Sequence, residues 1–160
     1  MRRSYSVLVE NKPGVLAKVA GLFARRGYNI ESLVVSETDD HTTSRMTIVV
    51  EGDARILEQV GKQLNKQIDV IKVNDITDEE AVERLLCLIR VKTDSVEERQ
   101  EILQITEVFR ASVVNLDRKS LIVEATGDEA KVQAIIRALR PFGIIELVST
   151  GKVAMLRGGG

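Results

Sequence analysis

Asn11-Lys12-Pro13-Gly14-Val15-Leu16 and, further on, Gly27-Tyr28-Asn29-Ile30-Glu31-Ser32-Leu33 are the two segments whose residue types and spacing could bind a small anion. Pro13 pre-sets the backbone for a first helical turn, and Gly14 lets a ligand approach the main chain closely. Asn11, just upstream, carries a short polar side chain able to bond free amides. The unpaired amides of a first helical turn and the positive end of the helix dipole both favour a carboxylate, and an Asn offers donor and acceptor together to an amino acid's zwitterion. This chemistry is sensing rather than catalysis. Taken alone, the hexapeptide also fits an ordinary capped helix, and Asn29 also fits a residue that satisfies a backbone group of its turn.

Other chemistry finds little support. His41, the sole histidine, sits among Asp39, Asp40, Thr42 and Thr43 in a polar turn without partners for metal binding or general base work, and reads as a solvated loop residue. The acidic clusters Asp39-Asp40, Asp78-Glu79-Glu80 and Glu97-Glu98 read as turns or helix N-terminal charges, and none accompanies a nucleophile. Phosphate-loop, G-x-G-x-x-G and G-x-S-x-G patterns are absent, as is any Cys or His metal spacing, so neither a catalytic residue nor a metal ligand is expected. Cys87, the only cysteine, lies in the apolar run Leu85-Leu86-Cys87-Leu88-Ile89 and reads as a buried thiol. Arg45 reads as part of a solvated face.

A formal net charge of -1 removes the broad electrostatic attraction that drives non-specific binding to nucleic acid, and two Tyr, three Phe and no Trp leave few rings to stack bases. No apolar run is long enough to span a bilayer, and Met1-Arg2-Arg3-Ser4-Tyr5 leads directly into a strand pattern, so a cytoplasmic protein without membrane or nucleic-acid partners is expected by default.

The elements that must position these segments follow from periodicity. Residues 4–10 alternate, with Tyr5, Val7 and Val9 on one face and Ser6, Leu8 and Glu10 on the other. From Gly14 to Arg26 the positions Val15, Leu16, Val19, Ala20, Leu22 and Phe23 form one stripe, with Gly27 placed for a left-handed cap. Residues 28–36 and 44–51 read as strands joined by the polar turn 37–43. Ile56, Leu57, Val60 and Leu64 then repeat at helical spacing, and 68–73 closes the unit as a fourth strand. The same β-α-β-β-α-β order recurs: strand 85–91, helix 96–109, strands 111–116 and 121–125, helix 129–139, strand 143–148. Residues 74–83 read as an acidic linker, and Arg157 to Gly160 as an unstructured tail.

The fold class expected is therefore α+β, two tandem ferredoxin-like βαββαβ domains covering residues 1–76 and 77–160. Units of about 75 residues bury only about 60% of their unfolded surface, so association is an expected source of stability. In the usual strand order 4-1-3-2 the strand holding Ile30, Leu33, Val34 and Val35 forms an apolar sheet edge, and a homodimer through the N-terminal domain follows. Two copies joined edge to edge would bring each Asn29 near the helix start of the other.

With these residues in place, the chain resembles the small regulatory subunit of acetohydroxyacid synthase, also called acetolactate synthase, whose N-terminal half is an ACT domain. The resemblance is carried by Ser6-Val7-Leu8-Val9-Glu10-Asn11, Gly21-Leu22-Phe23, Arg26 to Leu33, Ser44-Arg45-Met46-Thr47 and Thr150-Gly151-Lys152-Val153-Ala154. In the second half it rests on Glu107 to Arg110, Glu124 to Gly127 and Arg140 to Ile144, which look like the family's C-terminal ACT-like domain. Pro13-Gly14-Val15-Leu16 is shared by ACT domains in general. The resemblance implies a non-catalytic partner of a thiamine-diphosphate enzyme early in valine, leucine and isoleucine synthesis, which the small subunit both activates and restrains. It implies a valine site with Asn11, Gly14, Val15 and Leu16 from one chain and Asn29 and Ile30 from the other. Thiamine diphosphate, magnesium and FAD are expected on the catalytic large subunit, with no cofactor on this chain. A stand-alone amino-acid-sensing ACT protein acting on another partner is the alternative. An RNA-binding module lacks the aromatics, a small independent enzyme lacks a nucleophile with its base, and an amino-acid-responsive transcription factor lacks spare length for a helix-turn-helix.

Overall fold

A computed structural model describes residues 1–158; Gly159 and Gly160, the end of the tail read above as unstructured, lie outside the described residues. The chain divides into two compact units, Met1–Val82 together with the residues from Val153 onward, and Glu83–Lys152. Among the described residues no helix is long and apolar enough to cross a membrane.

The first unit runs β1 (Arg2–Glu10), α1 (Val15–Arg26), β2 (Asn29–Glu37), β3 (Thr43–Glu51), α2 (Ala54–Asn65) and β4 (Val70–Asp75). The strands form an antiparallel sheet in the order β2-β3-β1-β4, the order expected for a ferredoxin-like unit. Alternation along β1 sends Tyr5, Val7 and Val9 into a core shared with Met46, Ile48 and Val50 of β3, with Val15, Val19, Leu22 and Phe23 of α1, and with Leu57, Val60 and Leu64 of α2. The Tyr5 hydroxyl crosses this core to donate to the Leu57 carbonyl at 2.7 Å, so the ring carries its polar end to a partner. Burial holds that phenol above its ordinary pKa.

Helix ends follow local chemistry. Gly27 adopts φ 66°, its amide reaches the Ala24 carbonyl, and the Tyr28 amide reaches Phe23, which ends α1 as expected from the sequence. The apolar stripe of α1 is narrower than its periodicity suggests: Leu16 is 47% exposed and Ala20 is exposed, so the inward face is Val15, Val19, Leu22 and Phe23. After α2 the chain turns through residues 66–69 with Ile68 96% exposed, so the fourth strand starts at Val70 rather than at Ile68.

The second unit runs β5 (Ala81–Lys92), α3 (Val96–Val108), β6 (Ser112–Leu116), β7 (Ser120–Gly127), α4 (Glu129–Leu139), a 3-10 turn (Arg140–Phe142) and β8 (Ile144–Ser149). Its order, β6-β7-β5-β8, repeats that of the first unit. Cys87, Ile89 and Val91 meet Leu121, Val123 and Ala125 across the sheet and Val132, Ile135, Ile136 and Leu139 of α4 above it. Cys87 is fully buried and unpaired, and burial raises its thiol pKa. Where α1 ends on a glycine, α3 ends with Arg110 at φ 56°, the one non-glycine residue with positive φ among the described residues.

The residues read as an acidic linker divide differently: β4 extends to Asp75, a turn follows, and β5 begins at Ala81. A further strand absent from the periodicity reading, β9 (Val153–Leu156), pairs with β5, whose first residues belong to the first unit; nearby, the Arg157 amide donates to the Glu80 carbonyl at 2.9 Å.

Candidate functional site

The start of α1 differs from the three other helix starts. Asp53 accepts from the Ile56 amide in α2, Ser95 from Glu98 in α3 and Asp128 from Lys131 in α4, each in extended backbone geometry. Gly14 instead stands at φ 86°, ψ -7° and has no side chain to offer a cap. The Lys18 amide donates to the Gly14 carbonyl at 3.0 Å and the Val15 amide reaches the Lys12 carbonyl at 3.4 Å; among the described residues no side chain or backbone cap accepts from the amides of Leu16 and Ala17. Together with the helix dipole these donors suit an anion. A Cβ at Gly14 would meet nothing within 4 Å, so the glycine answers the left-handed backbone and leaves the approach to the amides open.

The flanking cations are already engaged. Lys12 Nζ lies 2.7 Å from Glu10 Oε2, and Lys18 Nζ donates to Asp69 Oδ2 at 2.9 Å. The Glu10 hydrogen bond raises the Lys12 pKa. An anion at this helix start is thus met by main-chain donors rather than by an unpaired ammonium.

Asn11 behaves differently from its expected role. Its Nδ2 donates to the His41 carbonyl at 2.9 Å and to Glu37 Oε1 at 3.4 Å, while its own amide donates to the Thr42 carbonyl at 2.8 Å. Asn11 therefore ties the β1–α1 loop to the β2–β3 turn instead of capping α1, and Oδ1 is the side-chain atom left to accept. The turn is braced from within: Asp40 Oδ1 accepts from the Thr42 amide and hydroxyl, which lowers the Asp40 pKa, and His41 Nδ1 sits 2.9 Å from Glu37 Oε1. His41 itself is 89% exposed in its side chain.

The other two expected site residues lie elsewhere. Asn29 is exposed at the first position of β2, opposite Glu51, and Glu51 also pairs with Arg2 at the start of β1. The α1 start follows the other end of β1, where Glu10 pairs with Thr43. Eight residues of strand, roughly 27 Å, separate these ends. Ile30 pairs with Val50 and packs on the core, with a bulge between it and Ser32, so its side chain serves the interior. One chain therefore assembles Asn11, Gly14, Val15 and Leu16, and leaves Asn29 and Ile30 at the far end of the sheet. The outer side of β2 has no strand partner among the described residues.

Sequence reasoning named Gly14, Val15 and Leu16 as the amide donors and missed Ala17. Counting from the cap would have found it: with Gly14 as cap, the second and third helical residues are Leu16 and Ala17. No cluster of three or more His, Cys, Asp or Glu side chains among the described residues is placed to hold a metal ion.

Comparison with known proteins agrees with this architecture. Residues 5–72 match the family model described as the AHAS small subunit-like ACT domain, and residues 84–158 match the small subunit of acetolactate synthase. A probable acetolactate synthase small subunit of Archaeoglobus fulgidus is 60% identical over 158 residues, covering 99% of this chain and 98% of the relative. The acetolactate synthase small subunit of Mycobacterium bovis is 51% identical over 153 residues, covering 96% and 90%. The crystal structure of the small subunit from Thermotoga maritima superposes with a TM-score of 0.86 at 43% identity, covering 98% of each chain. Two ferredoxin-like units of matching order, each covered by its own half of this family's description, identify the chain as a member of the acetolactate synthase small-subunit family.

Proposed function

We propose that this chain regulates a catalytic acetolactate synthase subunit, raising its activity and conferring feedback inhibition by valine. The observation that carries the effector reading is the uncapped start of α1, with Leu16 and Ala17 amides facing an approach that Gly14 leaves open. The effector's carboxylate meets these amides, its ammonium meets Asn side-chain or backbone oxygens, and its isopropyl group lies on apolar surface that includes the exposed Leu16.

The proposed site is shared between two copies. Within one chain Asn29 and Ile30 stand a strand length away from Gly14, and the outer edge of β2 is the surface through which a second copy brings Asn29 of the partner subunit to the helix start. Occupancy then favours one arrangement of the dimer by the effector's differential affinity for the two. A coupling of about 1–3 kcal/mol shifts the affinity for the catalytic subunit, or the population of its active form, by roughly 5- to 150-fold. Thiamine diphosphate, magnesium and FAD belong to the catalytic subunit in this reading, and this chain contributes regulation alone.

Calorimetry of the full chain with valine, leucine and isoleucine, followed by a reconstituted synthase assay, tests the proposal. Valine binds the wild type and inhibits the holoenzyme, and Asn29→His and Gly14→Asp abolish that inhibition while activation survives. Unchanged valine sensitivity in both variants contradicts the site; activity of the isolated chain on pyruvate contradicts the regulatory role.

A further inference from the structure

The face of the first-unit sheet turned away from its helices carries a second feature that the effector site does not use. Ser6 of β1 stands opposite Thr47 of β3 and Asn74 of β4, and the next row places Leu8 opposite Arg45 on one side and Lys72 on the other. Residues directly opposite one another share a face, so Arg45 and Lys72 flank Leu8 with their Cα atoms roughly 10 Å apart, two interstrand spacings.

This polar face is covered. Ser6 and Thr47 are buried despite pointing away from the helices, and a cavity of about 570 Å³ lies between this row and a wall that includes Ile76, Val153 and Met155, all of the first unit. The volume falls within the range of small-molecule pockets. Its two sides differ in chemistry: the floor offers Arg45, Lys72, Asn74 and hydroxyls, and the wall is aliphatic; the β2–β3 turn adds the carboxylates Glu37 and Asp39 to the lining.

The cations of the floor have no anion of their own. Arg45 Nη1 donates to Ser6 Oγ at 2.9 Å, and neither Arg45 nor Lys72 takes part in an ion pair among the described residues. Glu37 at the mouth is engaged by His41 and Asn11 instead. A partly buried guanidinium held in place by a hydroxyl, with its remaining donors unpaired, is suited to bidentate capture of a carboxylate. Arg45, Thr47, Val153 and Ala154, from segments singled out by the sequence and given no role at the α1 start, meet in this cavity.

We infer that the cavity is a second small-molecule site, taking an aliphatic carboxylate whose head meets Arg45 and Lys72 and whose hydrocarbon body lies against Ile76, Val153 and Met155. It is separate from the α1 start and independent of the effector reading. The apolar wall calls for a ligand longer than acetate, because each methylene withdrawn from water tightens binding.

Calorimetric titration of the full chain with acetate, hexanoate, octanoate and inorganic phosphate tests this. Hexanoate and octanoate bind, octanoate more tightly, while acetate and phosphate give no measurable heat. Arg45→Gln and Lys72→Gln each weaken octanoate binding about tenfold, and Ala154→Trp abolishes it by filling the wall. Lys72 is exposed on an edge strand, so its variant reports on the site even where Arg45→Gln disturbs the fold. Absence of hexanoate and octanoate binding, binding indifferent to Lys72→Gln, or phosphate binding as strong as octanoate each overturns the inference. Loss of catalytic-subunit assembly in these variants, with no carboxylate bound by the wild type, identifies the face as a protein interface and overturns it equally.

Discussion

The first helix of each unit follows the same strand in the same topology, yet the two helix starts are finished in opposite ways. In α3, Ser95 Oγ accepts from the Glu98 amide and Glu98 Oε2 accepts from the Asp94 amide, so side chains of the segment itself meet one first-turn amide and the amide just before the cap. In α1, Gly14 supplies neither group, and the Leu16 and Ala17 amides have no capping partner among the described residues. The difference teaches that a repeated fold does not repeat its site. Topology places a helix start at the end of the first strand in both units, and two residue choices decide whether that start is capped by side chains or left uncapped.

The ends of the same two helices also differ. Gly27 adopts the left-handed conformation at the end of α1 without a Cβ penalty, whereas Arg110 adopts it at the end of α3 against that penalty.

The largest expected effects test whether the units are separate bodies to compare at all. Leu57→Ala and Ile135→Ala remove fully buried side chains from different cores, and each destabilises its unit by about 2–5 kcal/mol. Hydrogen exchange under native conditions shows the first variant losing protection within residues 1–82 and the second within 83–152; losses spread evenly over both contradict the division.

Closing the receptive start comes next. Gly14→Asp places a carboxylate beside the α1 amides, and valine affinity measured by calorimetry falls by roughly 10- to 150-fold, the worth of one charged hydrogen bond at about 1.5–3 kcal/mol. Gly14→Ala carries the left-handed strain without the carboxylate, so the difference between the two variants isolates the competing anion. Opening the closed start has a smaller effect: Ser95→Ala costs about 1 kcal/mol in chemical denaturation and leaves valine binding unchanged. Smallest is the helix end, where Arg110→Gly relieves a strained backbone and stabilises by about 0.5 kcal/mol once glycine's added chain entropy is subtracted.

Much of this architecture is written in local pattern. Val132, Ile135, Ile136 and Leu139 repeat at helical spacing and all four are buried in α4, and Gly27 ends α1 where a left-handed cap was expected. What periodicity misses depends on contacts between residues distant in the chain. Leu16 and Ala20 satisfy the helical stripe, but the sheet beneath α1 reaches only its Val15, Val19, Leu22 and Phe23 side, which leaves the other two on the surface. Ser6 and Thr47 are polar yet buried, and β9, some 150 positions after Ser6, is part of what lines the cavity over them. Asn11 has the type of a cap, yet the β2–β3 turn offers it the His41 carbonyl and Glu37, and those partners take its amide. The uncapped helix start was legible as a segment around Gly14; that its uncapped amides are those of Leu16 and Ala17 follows only from backbone geometry.

The most direct test is a valine titration of the uniformly 15N-labelled wild-type chain followed through its backbone amides. Binding at the receptive start shifts the Leu16 and Ala17 resonances as valine saturates and leaves those of Val96, Glu97 and Glu98 in place. Saturation with the Leu16 and Ala17 resonances unmoved, or with the shifts gathered at Val96 to Glu98, contradicts the account.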